Sequence, residues 1–433
     1  MLTTAIIAKK RDGQELTRDE IAFIVDGITH ASIPDYQIAS WAMAVLCRGM
    51  TTAETAALTD CMLDSGDRLR PATDRPRVDK HSTGGLGDKV SLILAPLLAS
   101  IGLDVPMLSG RGLGITGGTL DKLESYEGFR ADLSEDEIDQ QLRSIGCVIT
   151  GTTKQIAPAD RKLYALRDAT ATVPSVGLIT GSIMSKKLAA TLNALVLDVK
   201  FGSGAFMQSI DQARELLSSL VATGKRMGVR TTALLSDMNQ PLGEMVGNAC
   251  EVNEAVEVLR GGGPNDVREL TLQLCAQLVA SISDATNHNG DQHDVQSAYQ
   301  RLADELDSGR PLERYREMIT AQGGRFLDHL SLHPEHVVTA STAGWVAAVD
   351  GQAIGNTVIS LKGGRARMGD PIDSKSGLKI IAKVGQEVAA GQPLAHVYAA
   401  DGSERAVQSV RDAIQLSDSP VAPLTLMPPV EPN

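Results

Sequence analysis

The fold class is decided by residues 84–118, which read GGLGDKVSLILAPLLASIGLDVPMLSGRGLGITGG. This stretch contains a glycine-rich loop, an apolar helix, a short apolar strand and a second glycine-rich loop. Such alternation is typical of an α/β unit with parallel strands. Residues 194–200, ALVLDVK, predict a strand buried on both faces, and a third glycine loop, FGSGAF, follows it. Because open α/β sheets bind ligands at the carboxyl ends of their strands, the three loops predict one shared site.

The regions on either side of this α/β pattern predict other kinds of secondary structure. The first 65 residues show no strand signal and predict three helices, the first of which begins with a capping box formed by Thr17 and Glu20. From about residue 337 short strands return, and VGQEVAAGQPLAHV resembles a lipoyl-type barrel. No lysine stands at a turn tip there, so we interpret this part as a structural appendix. The predicted fold is therefore α/β, with a small all-helical domain, a large mixed α/β domain and a lipoyl-like β-rich C-terminal part.

Composition restricts the class of protein. The chain has 433 residues and a formal net charge of −12, which argues against a nucleic-acid-binding surface. The five cysteines show no C-x-x-C spacing, which argues against a disulfide framework or a zinc site. No apolar run approaches the ~18 residues of a membrane span. We expect a cytoplasmic protein with no membrane or nucleic-acid partner.

The first glycine loop, DKHSTGGLGDK at residues 79–89, has the composition of an anion-binding loop. Lys80, Ser82 and the backbone amides after them can converge on an anion, and Ser91 follows about one helical turn later. The loop matches neither the P-loop nor the dinucleotide-binding pattern. The alternative is a strand–helix turn whose polar residues only cap the helix.

The second loop, SGRGLGITGGTLDKLE, has five glycines in nine residues, with Ser109 and Thr119 at its two ends. Glycine at this density costs chain entropy, which indicates a close approach of another group to the backbone. Tight helix–strand packing would also explain it, with Arg111 and Lys122 as surface charges. Two such loops in succession favour an anion site.

A third group of polar residues follows on two predicted helices. Tyr164 and Arg167 share one helix face, and Ser182 and Lys186 share a face of the next helix. The apolar spacing of that second helix runs from Met184 through Leu195. The alternative is that these polar residues are solvated, or that Arg167 pairs with Asp160 or Asp168.

These segments together resemble the pyrimidine-nucleoside phosphorylases. The matching blocks are KHSTGGLGDKVSL, SGRGLGITGGTLDKLES, APADRKLYALRDATATV, SIMSKKL and LDVKFGSGAF, and the likeness covers nearly the whole chain. The resemblance implies a helical domain and an α/β domain that face each other across a cleft. It also implies a homodimer formed by the helical domain, with no metal and no organic cofactor. The implied domains are 1–65 plus 155–192 (helical), 76–152 plus 193–335 (α/β), and 336–433 (β-rich).

The resemblance also implies a role for each candidate residue. Phosphate would be bound by Lys80, Ser82, Ser91, Ser109 and Thr119, and the pyrimidine by Tyr164, Arg167, Ser182 and Lys186. His81 would lie between the two substrates. In phosphorolysis the departing base gathers negative charge, which Arg167 and Lys186 would stabilise. His81, with an ordinary pKa near ~6.5, would donate a proton to that base.

One position departs from the family pattern, because Ile115 stands where the family has histidine within GLG-x-TGG. Isoleucine cannot donate a hydrogen bond, so any closure of the cleft must depend on other contacts, unless the change is simply tolerated. Thymidine and deoxyuridine are the expected substrates, and whether uridine is also used stays open. That choice depends on the pocket for the sugar 2′ position and on the apolar wall around the base 5-position. We predict that this wall is formed by Leu113, Val173, Ile179, Ile183 and Phe206.

Two other functions stay open. A related phosphoribosyltransferase would share the architecture and require Mg²⁺, for which Asp88 and Asp121 are available as isolated carboxylates. A catalytically silent homologue that senses nucleoside or phosphate is the second, and Ile115 is the feature in its favour.

Overall fold

The computed structural model of the chain describes residues 1–71, 73–112, 114–115, 117–283, 292–367 and 369–430. The N-terminal part is helical, with α1 (Thr3–Arg11), α2 (Arg18–Thr29), α3 (Asp35–Arg48) and α4 (Thr52–Asp64). The capping box is confirmed, since the Thr17 hydroxyl accepts from the Glu20 amide while the Glu20 carboxylate accepts from the Thr17 amide. The prediction of three helices is wrong, because α1 buries only Ile6 and Lys10 and so carries little apolar periodicity.

The central part contains the predicted parallel strands. They are β1 (Val78–Ser82), β2 (Val105–Ser109), β3 (Cys147–Gly151), β4 (Ala194–Phe201) and β5 (Arg230–Asp237). Strands β1, β4 and β5 pair in parallel in that order, and β2 pairs in parallel with β3. A parallel bridge between Arg77 and Asp104 connects the two groups. All eight residues of β4 are buried, as the sequence predicts.

Helices cover both faces of these strands, so the α/β prediction is confirmed. Alternate residues of β4 belong to different cores, with Val196 in one and Leu197 in the other. The helices of this part of the chain are α5 (Val90–Ser100), α6 (Thr119–Leu123), α7 (Glu135–Ser144), α8 (Pro158–Ala169), α9 (Val176–Ala189), α10 (Ile210–Arg226), α11 (Ala249–Leu259), α12 (Asn265–Ser283), α13 (Gln292–Asp307) and α14 (Arg310–Ala321).

Helices α8 and α9 return to the N-terminal bundle. Leu163 of α8 and Leu178 of α9 share a core with α1–α4, whereas Met184 of α9 packs into the core on one face of the sheet. The prediction that this helix continues to Leu195 is wrong. The helix ends at Ala189, since Thr191 has a left-handed backbone (φ 55°) and Leu195 already belongs to β4.

The C-terminal part is β-rich, as predicted. Its elements, with one strand from the α/β part, are β6 (Met245–Gly247), β7 (Glu335–Thr339), β8 (Gly344–Val349), α15 (Gly351–Ser360), β9 (Gly377–Ile380), β10 (Glu387–Val388), β11 (Pro393–Tyr398), α16 (Ser403–Ala413) and β12 (Ile414–Ser417). They form two sheets with the orders β10-β8-β12 and β6-β9-β11-β7. Strand β6 is the one that comes from the α/β part, and it pairs antiparallel with β9. Among the described helices, none is long and apolar enough to cross a membrane.

Candidate active site

The predicted anion-binding residues lie around the carboxyl ends of two strands. Lys80 and Ser82 are among the last three residues of β1, and Ser109 is the last residue of β2. Ser91 lies in the first turn of α5, and Thr119 is the first residue of α6. Both helices begin directly after a glycine loop, so their N-terminal amides and dipoles face the region of the loops.

Three hydroxyls of this group are available for a ligand. The side chains of Ser109 and Thr119 are partly accessible and that of Ser91 is buried, and no hydrogen bond joins these three side chains to another described residue. The Ser82 hydroxyl is engaged, since it accepts from the Gly84 amide at 3.1 Å and bonds to the Asp88 carboxylate. The first loop is therefore held by its own internal hydrogen bonds, while the three hydroxyls around it have no hydrogen-bond partner in the described part of the chain.

A buried cluster of charges lies beneath the first loop. The Lys80 ammonium is 3.4 Å from Asp88 and 3.5 Å from Asp198, and the Lys200 ammonium is 2.9 Å from Asp198. Burial favours the neutral form of Asp88, but Lys200 and Lys80 outweigh it and hold the pKa of Asp88 well below its usual range. Burial likewise opposes the charge of Lys200, and Asp198 and Asp88 more than offset this, so the pKa of Lys200 is raised. Asp88 is thus ionised and lies among buried lysines at 3.4 and 3.9 Å, so the expectation of an isolated carboxylate is wrong.

The second loop is tied to the first through Lys122 of α6. Its ammonium donates to the Asp88 carbonyl at 2.6 Å and pairs with Glu251 at 2.7 Å. The side chain is 1% exposed, so the interpretation of Lys122 as a surface charge is wrong. Arg111 does match that interpretation, since it is exposed and pairs with Glu124.

Arg167 is fully buried in the last turn of α8. Its guanidinium donates to the carbonyls of Thr172 at 3.4 Å, Val173 at 2.7 Å and Leu178 at 3.0 Å. Neither Asp160 nor Asp168 forms the ion pair that the sequence left open. A guanidinium has five N–H groups, so two of them have no partner among the described residues. Burial lowers the pKa of Arg167 below its ordinary value, and the nearby Asp160 partly offsets this shift.

Lys186 contacts Ser182 on α9 and also Asp160 of α8, for which the sequence suggested only a pairing with Arg167. The Lys186 ammonium donates to the Ser182 hydroxyl at 3.1 Å and to Asp160 of α8 at 2.6 Å. Asp160 is only 3% exposed, so this pair fixes α8 against α9. Its signal in the sequence was its spacing, four residues before Tyr164 and on the same helix face. Tyr164 is 40% exposed, and its ring centroid is 5.9 Å from the Arg167 guanidinium carbon.

A second buried ion pair joins α9 to the strands. The Lys187 ammonium lies 2.7 Å from the Asp79 carboxylate of β1 and donates to the Leu108 carbonyl of β2 at 3.0 Å. Both side chains are almost inaccessible. Neither residue was predicted, because nothing in the sequence distinguishes Lys187 from Lys186 beside it. The pair holds the helix of the predicted pyrimidine-binding residues against the strands of the predicted phosphate-binding residues.

His81 lies where the two groups of residues meet. Burial lowers its pKa well below 6.5, and the positive charges of Lys187, Lys186 and Lys80 lower it further, while Asp88 opposes the shift weakly. His81 is therefore neutral at pH 7, which corrects the expectation of an ordinary histidine pKa. A neutral imidazole has one N–H donor and one acceptor nitrogen.

The predicted apolar wall is only partly described. Val173 and Ile179 are half-buried, Ile183 is buried and Phe206 is 43% exposed. Leu113 lies outside the described residues. No group of three or more His, Cys, Asp or Glu side chains within the described part of the chain is arranged to hold a metal ion.

Three family models match the chain, and each falls on one part of the fold. The glycosyl transferase family helical bundle domain matches residues 4–66, and the a/b domain of the same family matches residues 74–312. The pyrimidine nucleoside phosphorylase C-terminal domain matches residues 345–417.

Similar proteins carry two related names. The thymidine phosphorylase of Burkholderia cenocepacia is 44% identical over 438 residues, and the match covers 98% of each chain. The pyrimidine-nucleoside phosphorylase of Geobacillus stearothermophilus is 42% identical over 430 residues, again with 98% of each chain covered. Among solved structures, the anthranilate phosphoribosyltransferase (TrpD) of Thermus thermophilus aligns with a TM-score of 0.60 at 16% identity. That alignment covers 73% of this chain and 99% of the other, and it shows a shared fold.

Proposed function

This chain belongs to the glycosyl transferase family, in its pyrimidine nucleoside phosphorylase branch of pentosyltransferases, and from this premise we propose that it acts on thymidine and deoxyuridine. The reaction is reversible phosphorolysis, which yields the free pyrimidine and 2-deoxy-α-D-ribose 1-phosphate. Relatives named thymidine phosphorylase at 44% identity support this choice. Relatives named pyrimidine-nucleoside phosphorylase at 42% support a second candidate, in which uridine is used as well.

Phosphate, in this proposal, is a reactant held between the first two glycine loops. The free hydroxyls of Ser91, Ser109 and Thr119 donate to it, together with the Lys80 ammonium and the Ser82 region of the first loop. Lys80 is suited to this because its contacts with Asp88 and Asp198 are long, at 3.4 and 3.5 Å, and leave room for a further acceptor. Positioning the nucleophile in this way is the entropic part of catalysis.

The pyrimidine is held on the opposite side by α8 and α9. The two unengaged N–H groups of Arg167 and the ammonium of Lys186 stabilise the negative charge that develops on the base carbonyls. Ser182 hydrogen-bonds the imide edge of the ring, and Tyr164 presents an exposed ring at the same face. Lys186 is oriented before substrate arrives, since Asp160 already holds its ammonium.

The neutral state of His81 defines its part in the reaction. A phosphate oxygen forms the bond to C1′ while the C1′–N1 bond breaks, and its electron pair leaves with the base. Monohydrogen phosphate loses its proton as the ester forms, and the base gains one, so the overall reaction is balanced. A neutral imidazole accepts a proton at one nitrogen and donates from the other, which suits a relay between the substrates. The observation that supports this proposal is the proximity of His81 to Lys187, Lys186 and Lys80, whose charges act on its imidazole.

The same proposal includes a homodimer and excludes a cofactor. Tyr36 and Met43 of α3 are 71% and 42% exposed and lie seven residues apart, hence on one face of the helix, and Leu2 beside α1 is 73% exposed. This apolar face supports dimerisation through the helical bundle. Inorganic phosphate serves as the co-substrate, and no step requires a metal.

The decisive experiment follows release of free base by the purified protein. Thymidine and uridine are compared as substrates with phosphate as the varied component, with and without a chelator. We expect thymine release that depends on phosphate, persists with EDTA and has a higher kcat/KM than uracil release. Equal use of both nucleosides would favour the broader enzyme.

Two outcomes would overturn the proposal. Binding of nucleoside without any phosphate-dependent release would indicate a silent homologue. A requirement for Mg²⁺ and a sugar pyrophosphate donor would indicate a phosphoribosyltransferase.

A further inference from the structure

We propose that Arg365 is a positioning residue for phosphate, although it belongs to the C-terminal part of the chain. It follows α15 and acts on the second glycine loop, residues 110–118, through the side chain of Asp121. The inference rests on the proposed function, in which Ser109 and Thr119 at the two ends of this loop bind phosphate.

Asp121 closes the loop from its inner side. One of its carboxylate oxygens accepts from the Gly112 amide at 2.7 Å, and the side chain is almost completely buried. The two ends of the loop are in direct contact, because a Cβ added to Gly118 would lie 2.1 Å from the Gly112 nitrogen. The Leu120 amide also donates back to the Gly110 carbonyl at 3.4 Å. The described ends of the loop are therefore held against each other, and one carboxylate fixes them there.

Arg365 holds that carboxylate from the outer side. Its Nη1 lies 2.6 Å from the second oxygen of Asp121 and also contacts the Gly112 carbonyl at 3.4 Å. The backbone carbonyl of Arg365 accepts from the Gly114 amide at 3.2 Å. Its Nε donates to the Asp370 carbonyl at 3.1 Å, which fixes the plane of the guanidinium. A planar fork with several donors makes these contacts at once, and an ammonium cannot.

Helix α15 supports the same loop through apolar contact. A Cβ added to Gly355 would lie 2.5 Å from the Cβ of Ile115, so the tip of the loop rests directly on this helix. The family histidine is thus replaced by an apolar residue whose surroundings are the C-terminal part. At the start of α15, Gly351 lies against Gly204 of the loop after β4, and its amide donates to the Ser203 hydroxyl at 3.1 Å. The C-terminal part therefore contacts two of the three glycine loops. The interpretation of it as a structural appendix does not account for these contacts.

These contacts predict an effect on phosphate and not on nucleoside. Arg365 is engaged with protein groups at the loop, whereas the proposed pyrimidine residues lie on α8 and α9 and share no contact with it among the described residues. Loss of the guanidinium would leave one oxygen of a buried carboxylate without its counter-ion, and the loop would relax. Ser109 and Thr119 would then be displaced from their common target.

The test compares Arg365→Gln and Arg365→Lys with wild type. Initial rates are measured against phosphate at saturating thymidine and against thymidine at saturating phosphate. For Arg365→Gln we expect the KM for phosphate to rise on the order of 10-fold to 10²-fold, with the KM for thymidine within about twofold. Arg365→Lys should recover part of the loss, because it restores charge but not the second contact to Gly112. The matched control is Arg411→Gln, since Arg411 lies in the same part and contacts Thr339 and Gln408.

Asp121→Asn keeps the inference testable if Arg365→Gln fails to fold, because it removes the charge and preserves the shape. It should show the same selective loss for phosphate, and the double variant should be no worse than the poorer single variant. A folded variant whose two KM values rise equally, or whose phosphate KM is unchanged, would overturn the inference. A wild-type protein that releases no base with phosphate would instead refute the proposed function and leave the loop geometry untouched.

Discussion

Replacement of Lys187 by methionine tests how the base-side helix is held against the sheet. Lys187 and Asp79 form an ion pair of 2.7 Å that is almost fully removed from solvent. Burial raises the pKa of Asp79 in spite of Lys187, and burial lowers the pKa of Lys187 in spite of Asp79. Both shifts favour the neutral forms, so the loss of hydration exceeds the attraction between the partners. The pair should therefore contribute little net stability, yet removing only one partner should lower the free energy of unfolding strongly.

The magnitudes follow from the burial. Lys187→Met leaves Asp79 with the Lys80 amide at 2.7 Å as a partner but without a counter-ion, which should cost about 3–5 kcal/mol at pH 7. The double variant Asp79→Asn/Lys187→Met removes both charges and should recover most of that loss. In the single variant the carboxyl pKa is raised above its unfolded value of about 3.9, so lowering the pH lets the folded protein bind a proton. Its deficit should consequently shrink as the pH falls from 7 to 5.

Urea unfolding followed by circular dichroism at both pH values measures these free energies. Lys162→Met is the matched control, since Lys162 pairs with an exposed Asp35 at 3.3 Å and should cost less than about 1 kcal/mol. A loss below about 1 kcal/mol for Lys187→Met, or strict additivity of the two single variants, would refute the reasoning.

Two further variants probe the loop directly. His81→Gln should lose less stability in acid than wild type, because His81 stays unprotonated in the folded protein while the unfolded chain takes up a proton. By pH 5.5 this proton uptake lowers the free energy of unfolding of wild type by up to about 1.4 kcal/mol. Equal shifts of the urea midpoints of the two proteins between pH 7.5 and 5.5 would contradict this. Gly85→Ala should lose about 1–3 kcal/mol and bind phosphate more weakly, since the new Cβ would lie 2.7 Å from Cδ of Lys200. Gly262→Ala, where the nearest atom is 3.5 Å away, serves as its control, and equal stability of the two variants would rule out the steric argument.

The sequence predicted those features that depend on neighbouring residues. The glycine loops and the buried run of β4 indicated the parallel sheet, because each element carries its own pattern within a few residues. The candidate residues on β1, α8 and α9 came from motifs of the same kind. The end of α9 was missed, because the apolar series through Leu195 continues across the left-handed turn at Thr191 into a strand.

The buried charges that organise the site had no such local signal. Lys186 and Asp160 are 26 residues apart, Lys187 and Asp79 are 108 apart, and Arg365 and Asp121 are 244 apart. In the sequence each looks like an ordinary solvated residue, and only the fold brings it to a partner. The lowered pKa of His81 has the same origin, since its cause is the burial and the lysines that the fold collects around it.

Strand β6 has a consequence for how this chain can be divided. Although it lies in the α/β part of the sequence, it forms the edge of a C-terminal sheet by pairing with β9. A cut before Glu335 would leave the first fragment with a strand that has lost its partner and the second with an uncovered edge on β9. The two fragments would each carry one of two complementary strand edges. We therefore expect the separated fragments to regain the sheet only when they are combined.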